Sequence, residues 1–192
     1  IVPVAHDSSG PAAVNYALAH PGDVSELVIL NSAYDDAFPV LWPEMISLFA
    51  TPGLAALGAA IAQSPEQFGW LLGWQKHKFS DALPADQQER FEAGIGQLIA
   101  DNFIRQPSSG PAFLQMASQF FAELARNTER LPQLATLDVP VKVIWGALDP
   151  YFPADMARDR AARFKNASLR LLQAGHWLQA DVPDHVAGAM LA

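Results

Sequence analysis

Asp7, Asp149 and His176 are the residues of this chain whose types and spacing could do chemistry. Each stands just beyond a short apolar run: Asp7 after IVPVA, Asp149 after VKVIW and a Gly-Ala-Leu turn, His176 after SLRLL and a Gln-Ala-Gly turn. Two carboxylates and an imidazole can divide the work of covalent hydrolysis. One carboxylate attacks carbon, the imidazole activates water, and the second carboxylate orients the imidazole. Each residue alone also has a plain structural use. Asp7 can cap a following helix, Asp149-Pro150 is an ordinary turn, and a histidine after a strand is as often packing as function. Their joint occurrence points to a site, because open parallel sheets bind ligands at the carboxyl ends of their strands.

The elements around these residues supply that sheet. Residues 1–5 read as a buried strand, Gly10 and Pro11 as the turn into a helix over 12–20, and residues 24–30 (VSELVIL) as a second strand. Strand, helix and strand within about 30 residues make a βαβ unit, hence parallel pairing. From about residue 38 to 134 the patterns are helical, over 42–49, 53–63, 65–76, 85–102 and 110–129, with a PSSGP loop at 107–111. Strand character returns at 141–145 and 168–172, with helices over 154–164 and 183–191. The expected class is α/β: core segments over 1–35 and 136–192, interrupted by an all-helical insert over 36–135.

Composition narrows the function classes. The 192 residues are 51% hydrophobic, with five Trp and eleven Phe, enough for a sizeable core. A net charge of −8, with the twelve Lys and Arg scattered, argues against nucleic acid, which demands a basic face. The absence of Cys excludes disulfides and thiolate chemistry. No apolar run approaches the roughly 20 residues that span a bilayer, and no basic, then apolar leader opens the chain. The expected location is therefore cytoplasmic. His6, His20, His77 and His185 show no metal-ligand spacing, so neither a metal nor a cofactor is expected. The chain opens on Ile1 inside an apparent strand, which reads as part of a longer protein. The first strand's edge is then expected to need cover from an upstream segment or a second chain.

The order nucleophile, acid, histidine, with a helical insert after the first, resembles the α/β-hydrolase family. The motifs behind this are Ala5-His6-Asp7-Ser8-Ser9-Gly10 at the turn, Trp145-Gly146-Ala147-Leu148-Asp149-Pro150 at the acid, and Ala174-Gly175-His176-Trp177 at the histidine. Two frames fit the first. Asp7 lies between small Ala5 and Ser9, whereas Ser8, the esterase-like choice, lies between bulky His6 and Gly10. A strained elbow wants small flanks, which favours Asp7. The resemblance then implies the Asp-nucleophile branch, that of epoxide hydrolases and haloalkane or haloacid dehalogenases, acting on a small apolar substrate. It ranks epoxide chemistry first, with Tyr34 and Tyr151 as the available phenols. It places Ser8, Trp42, Trp74 and Trp177 as further substrate contacts, with Trp42, Trp70, Trp74 and His77 of the insert as the N–H donors to halide in the dehalogenase case. It also implies that an oxyanion-hole loop lies upstream of residue 1, so that these residues alone are expected to be weakly active. Beside the Ser8 esterase, a third reading is a hydrolase-like binding module without catalysis.

Overall fold

The computed structural model describes residues 1–105 and 107–192. The chain divides into two compact units: Ile1–Val40 with Leu124–Ala192, and Leu41–Glu123. The second boundary of the helical unit falls within a helix.

The first unit is built on four strands, β1 (Val4–His6), β2 (Leu27–Leu30), β3 (Val141–Gly146) and β4 (Ala167–Leu172), side by side in that order. All three pairings are parallel, with His6 opposite Leu30, Leu30 opposite Ile144, and Gly146 opposite Leu172. A parallel sheet buried on both faces uses apolar residues at every position. Accordingly LVIL of β2 is buried throughout. One face gathers Val28, Leu30 and Ile144 with Ala174, Leu178 and Val186. The last two sit on the short α10 (Leu178–Asp181) and on α11 (Pro183–Leu191). On the alternate parity Leu27, Ile29, Val143 and Trp145 are equally buried. Helix α1 (Gly10–Ala19) packs beside β2, and α9 (Ala154–Ala162) beside β3 and β4. Each Leu, Ile or Val removed from water in this way contributes about 1.5–3 kcal/mol. Lys142 is the apparent exception in VKVIW. Its stem runs along the sheet and its ammonium reaches Glu26 (3.1 Å) and the Met190 carbonyl (2.6 Å).

The second unit contains α2 (Glu44–Ala50), α3 (Ala55–Ala62), α4 (Pro65–Ser80), α5 (Ala85–Phe91), α6 (Gln97–Ile104) and most of α7 (Gly110–Thr128). Helix α4 starts where sequence places it. The Ser64 hydroxyl accepts from the Gln67 N–H (3.4 Å), Pro65 fills the first helical position and Glu66 meets the positive end of the helix dipole. The single helix expected over 85–102 is two helices joined by a π-helical stretch, Glu92–Gly96. Gly96 permits the approach of Phe91 and the Lys76 stem there, since a Cβ would lie 3.0 Å from each. Phe49, Phe68, Phe103 and Phe113 form a chain of ring contacts with centroids 5.1–6.2 Å apart. A cavity of about 650 Å³ within this unit is lined by residues including Phe68, Leu72, Phe103 and Leu114. Among the described residues no single helix is long and apolar enough to cross a membrane, and the apolar pair Glu44–Ala50 and Pro52–Ala62 is bent by 87°. A short α8 (Leu131–Leu134) is not evident in the sequence pattern.

Candidate active site

The parallel register brings the carboxyl ends of all four strands to one edge, and the residues just past those ends are Asp7, Asn31, Asp149 and His176. Asp7 follows β1 directly. Its φ is +52°, in the left-handed region that L side chains avoid. Asp is one of the few residues that tolerates it. Two contacts hold the turn: the Asp7 N–H donates to the Asn31 carbonyl (3.2 Å), and the Ser32 hydroxyl donates to the Asp7 carbonyl (2.6 Å). Glycine at position 10 leaves room for the Ser32 side chain, since a Cβ there would sit 1.8 Å from the Ser32 oxygen and force it to shift.

Asp149 has a fully buried side chain. Its carboxylate receives four N–H donors. Oδ1 accepts from the backbone of Tyr151 (2.9 Å) and Phe152 (3.1 Å), and Oδ2 from Asn31 Nδ2 (2.8 Å) and His176 Nδ1 (2.7 Å). Such saturation is what allows a carboxylate to leave water. The Trp145 indole N–H, donated to the Phe152 carbonyl (2.8 Å), pins the loop that supplies two of the four.

His176 is held from three sides. Its carbonyl accepts from His6 Nε2 (2.8 Å), the preceding Gly175 N–H donates to the buried Asp181 (2.8 Å), and the end of β3 lies against Gly175. A Cβ on Gly146 would lie 1.9 Å from the Gly175 oxygen. Gly146→Ala therefore forces the histidine loop away, at a cost of about 1–3 kcal/mol. Chemical denaturation should show this loss.

The other imidazole nitrogen, Nε2, lies 3.6 Å from Asp7 Oδ1. The ring thus stands between two carboxylates, one buried and one half exposed. Burial alone would lower its pKa, but the charges and contacts of Asp149 and then Asp7 prevail and raise it from 6.5 to about 10. For Asp7 the crowding would raise the carboxyl; half the side chain is exposed, and the approach of His176 holds it below the ordinary value. Burial, with the charge of His176 beside it, lowers His6 to about 4. His6 is therefore a neutral imidazole at pH 7, with its Nε2 proton committed to the His176 carbonyl.

The raised His176 value has a consequence for stability. A group whose pKa is higher in the folded state stabilises the fold fully below its unfolded value and loses that contribution as pH rises through its folded value. Stability should fall between about pH 6.5 and about pH 10. Replacing His176 by Gln should flatten that part of the curve, measured by urea denaturation at stepped pH.

The remaining expected residues divide. Ser8 is exposed beside Asp7 and gives its backbone N–H to the Asp7 carboxylate. Trp177 presents its edge to His176 (centroids 4.7 Å). Tyr34, expected as a phenol facing substrate, is instead 2% exposed, with its hydroxyl donating to Asn15 (2.9 Å) and the Arg160 guanidinium over its ring. The segment after β2 turns inward and consumes it. Tyr151 is likewise buried, next to Asp149. Trp42 and Trp74 belong to the helical unit. Trp42 packs edge-on against Phe120 and Phe121, and Trp74 lies under the Lys78 ammonium. Sequence reading missed Asn31, His6 and Asp181 as members of the site. For Asn31 the signal was a polar residue closing an entirely apolar strand, which reads equally as a simple strand end. Among the described residues no group of three or more His, Asp or Glu side chains could share a metal ion.

The parallel sheet and the helices around it match known proteins. The chain belongs to the alpha/beta hydrolase fold family, whose pattern matches residues 1–183. It is similar to an alpha/beta hydrolase fold protein from Burkholderia ambifaria, with a TM-score of 0.73 and 20% identity over 99% of this chain and 64% of that one. The enol-lactonase from Burkholderia xenovorans LB400 gives 0.71 and 19% over 97% and 62%. The epoxide hydrolase CorEH gives 0.69 and 18% over 99% and 66%. At these identities the likeness is one of fold, and the chain spans just under two-thirds of the length of these structures. No curated protein matches it significantly.

Proposed function

We propose that this chain carries the reacting residues of a hydrolase that works through a covalent ester on Asp7, acting on a small apolar epoxide. The observation that carries this reading is the placement of one imidazole between the strained Asp7 and the buried Asp149. Family elbows put the nucleophile at the strained position, and here the positive φ belongs to Asp7, not Ser8.

The chemistry follows from the charges. An Asp7 oxygen attacks an epoxide carbon, the carbon–oxygen bond breaks, and its electron pair stays on the oxygen. With Tyr34 consumed, the imidazolium of His176 is the acid at hand, and it gives its Nε2 proton to that oxygen. Esterification also removes the Asp7 charge that helped raise the His176 pKa. The imidazole is then neutral when it must accept a proton from water. The resulting hydroxide attacks Cγ of the ester. The bond from the Asp7 oxygen to Cγ breaks, the diol leaves after taking the proton back from His176, and the proton left on the Asp7 carboxyl returns to the imidazole. Asp149 stabilises the imidazolium at each stage.

Haloalkane chemistry is the second reading, since the same attack expels a halide that needs no proton. A Ser8 esterase is favoured only by the likeness to the enol-lactonase.

One experiment separates these. His176→Gln removes both the acid of ring opening and the base that hydrolyses the ester. An adduct then forms more slowly from an epoxide, whose oxygen takes its proton from water, but accumulates once formed because no base hydrolyses it. Intact mass after incubation with small epoxides should rise by the full substrate mass, and peptide mapping should place it on Asp7. A haloalkane would instead add its mass less that of the hydrogen halide. Labelling of Ser8 by a phosphonate, with none at Asp7, would move the reading to the esterase. No adduct from any of them would leave a binding module.

A further inference from the structure

We propose that Asn31 is the positioning residue that holds the two carboxylates of this site in fixed relation, its side chain on Asp149 and its backbone on Asp7. The inference rests on the hydrolytic reading above and deepens it. Asn31 is fully buried at the end of β2, between the strands that lead to the two acids. Its Nδ2 donates to Asp149 Oδ2, the same oxygen that receives His176 Nδ1. Amide and imidazole are thus co-donors to one atom, and the amide fixes the rotation of the carboxylate that the imidazole meets. Its own orientation is set by Gly146, whose N–H donates to Asn31 Oδ1 (2.7 Å) and whose carbonyl accepts from Nδ2 (3.2 Å). With the oxygen end committed to an N–H, only the NH₂ end can face Asp149. The Asn31 carbonyl meanwhile accepts the Asp7 N–H at the elbow.

The backbone supplies an independent sign. Asn31 has φ +24°, one of two positive values at non-glycine positions among the described residues; Asp7 is the other. Glycine would relieve that strain. Strain that persists at such a place is characteristic of functional sites, and here it aims the amide at Asp149.

The test uses Asn31→Gly, which removes the amide and the strain together. Asn31→Ser is the second variant, with a hydroxyl too short to reach the carboxylate. Each is studied by thermal melting and by proton NMR of the low-field His176 Nδ1–H signal across pH. Asp149, Asp7 and His6 all face that ring, so each variant is compared with wild type at fixed ionic strength. Turnover is followed with whichever epoxide or haloalkane forms the His176→Gln adduct. A folded variant should show the Nδ1–H signal moved upfield or lost and kcat reduced at least about tenfold, with KM little changed. A folded variant with unchanged signal and kcat would overturn the proposal, as would failure of both variants to fold, which would make Asn31 a structural residue. If no adduct forms yet the signal still moves, the hydrolytic reading fails while Asn31 remains the residue that orients Asp149.

Discussion

Asp7→Asn should abolish turnover, by at least about a thousandfold in kcat/KM, while leaving the fold intact. An amide is not nucleophilic enough to open a carbon–oxygen bond, so the variant loses the covalent step itself. A thousandfold loss corresponds to about 4 kcal/mol of transition-state stabilisation. The fold survives because Asn tolerates a positive φ as readily as Asp does, and the contacts that hold the turn are made by backbone atoms of residue 7. Loss of the Asp7 charge should also lower the His176 pKa from its raised value of about 10, visible in the same imidazole titration. A cooperative melt, lowered by no more than the lost attraction between Asp7 and His176, with activity gone and the titration shifted down, is the expected set of results. Retained activity would remove Asp7 as the nucleophile and return attention to Ser8.

Arg160→Met should be the most destabilising single change outside the site. Arg160, on α9, and Asp35, after β2, are both buried, with Nη1 and Oδ2 2.6 Å apart. Burial presses the guanidinium pKa down, and Asp35 is the charge that opposes it. Asp35 also takes the Ala37 N–H on its other oxygen (2.9 Å). Removing one partner of such a pair leaves the other charge stranded and costs about 3–5 kcal/mol. For a chain of this size that is a fall in Tm of roughly 6–20 °C. Replacing both partners by apolar residues should cost less than the sum of the single changes, because no charge is then stranded. A double-mutant cycle read by urea denaturation checks this. Strict additivity would mean that the ion pair is not coupled in the folded state.

The elements of the sheet were readable because their signals are local. VSELVIL and VKVIW are apolar runs bounded by turn residues, and Ser64-Pro65-Glu66 is a helix start written in three side chains. The π-helical stretch at Glu92–Gly96 was not readable, since it depends on what Gly96 packs against. Neither were α8 and α10, each too short to carry a period. Within the site, Asp7, Asp149 and His176 could be nominated because each follows a strand. Asn31 and Asp181 could not, since an Asn closing a strand and an Asp at the end of a short helix are both ordinary. Tyr34 was misjudged for the converse reason: a phenol in a loop looks available until its partner, Asn15, is seen to lie within reach.

What the sequence determined by itself is therefore which titratable side chains follow the strands and the sheet edge they share, because strand ends and residue types are properties of short segments. What only the tertiary structure decided is the geometry between them. The imidazole's place between two carboxylates, the Asn31 and His176 donors on Asp149 and the strain at Asp7 and Asn31 all arise where separate segments meet, Asn31 and Asp149 being 118 residues apart. The energies that fix them come from burial and hydrogen bonds that no local stretch contains.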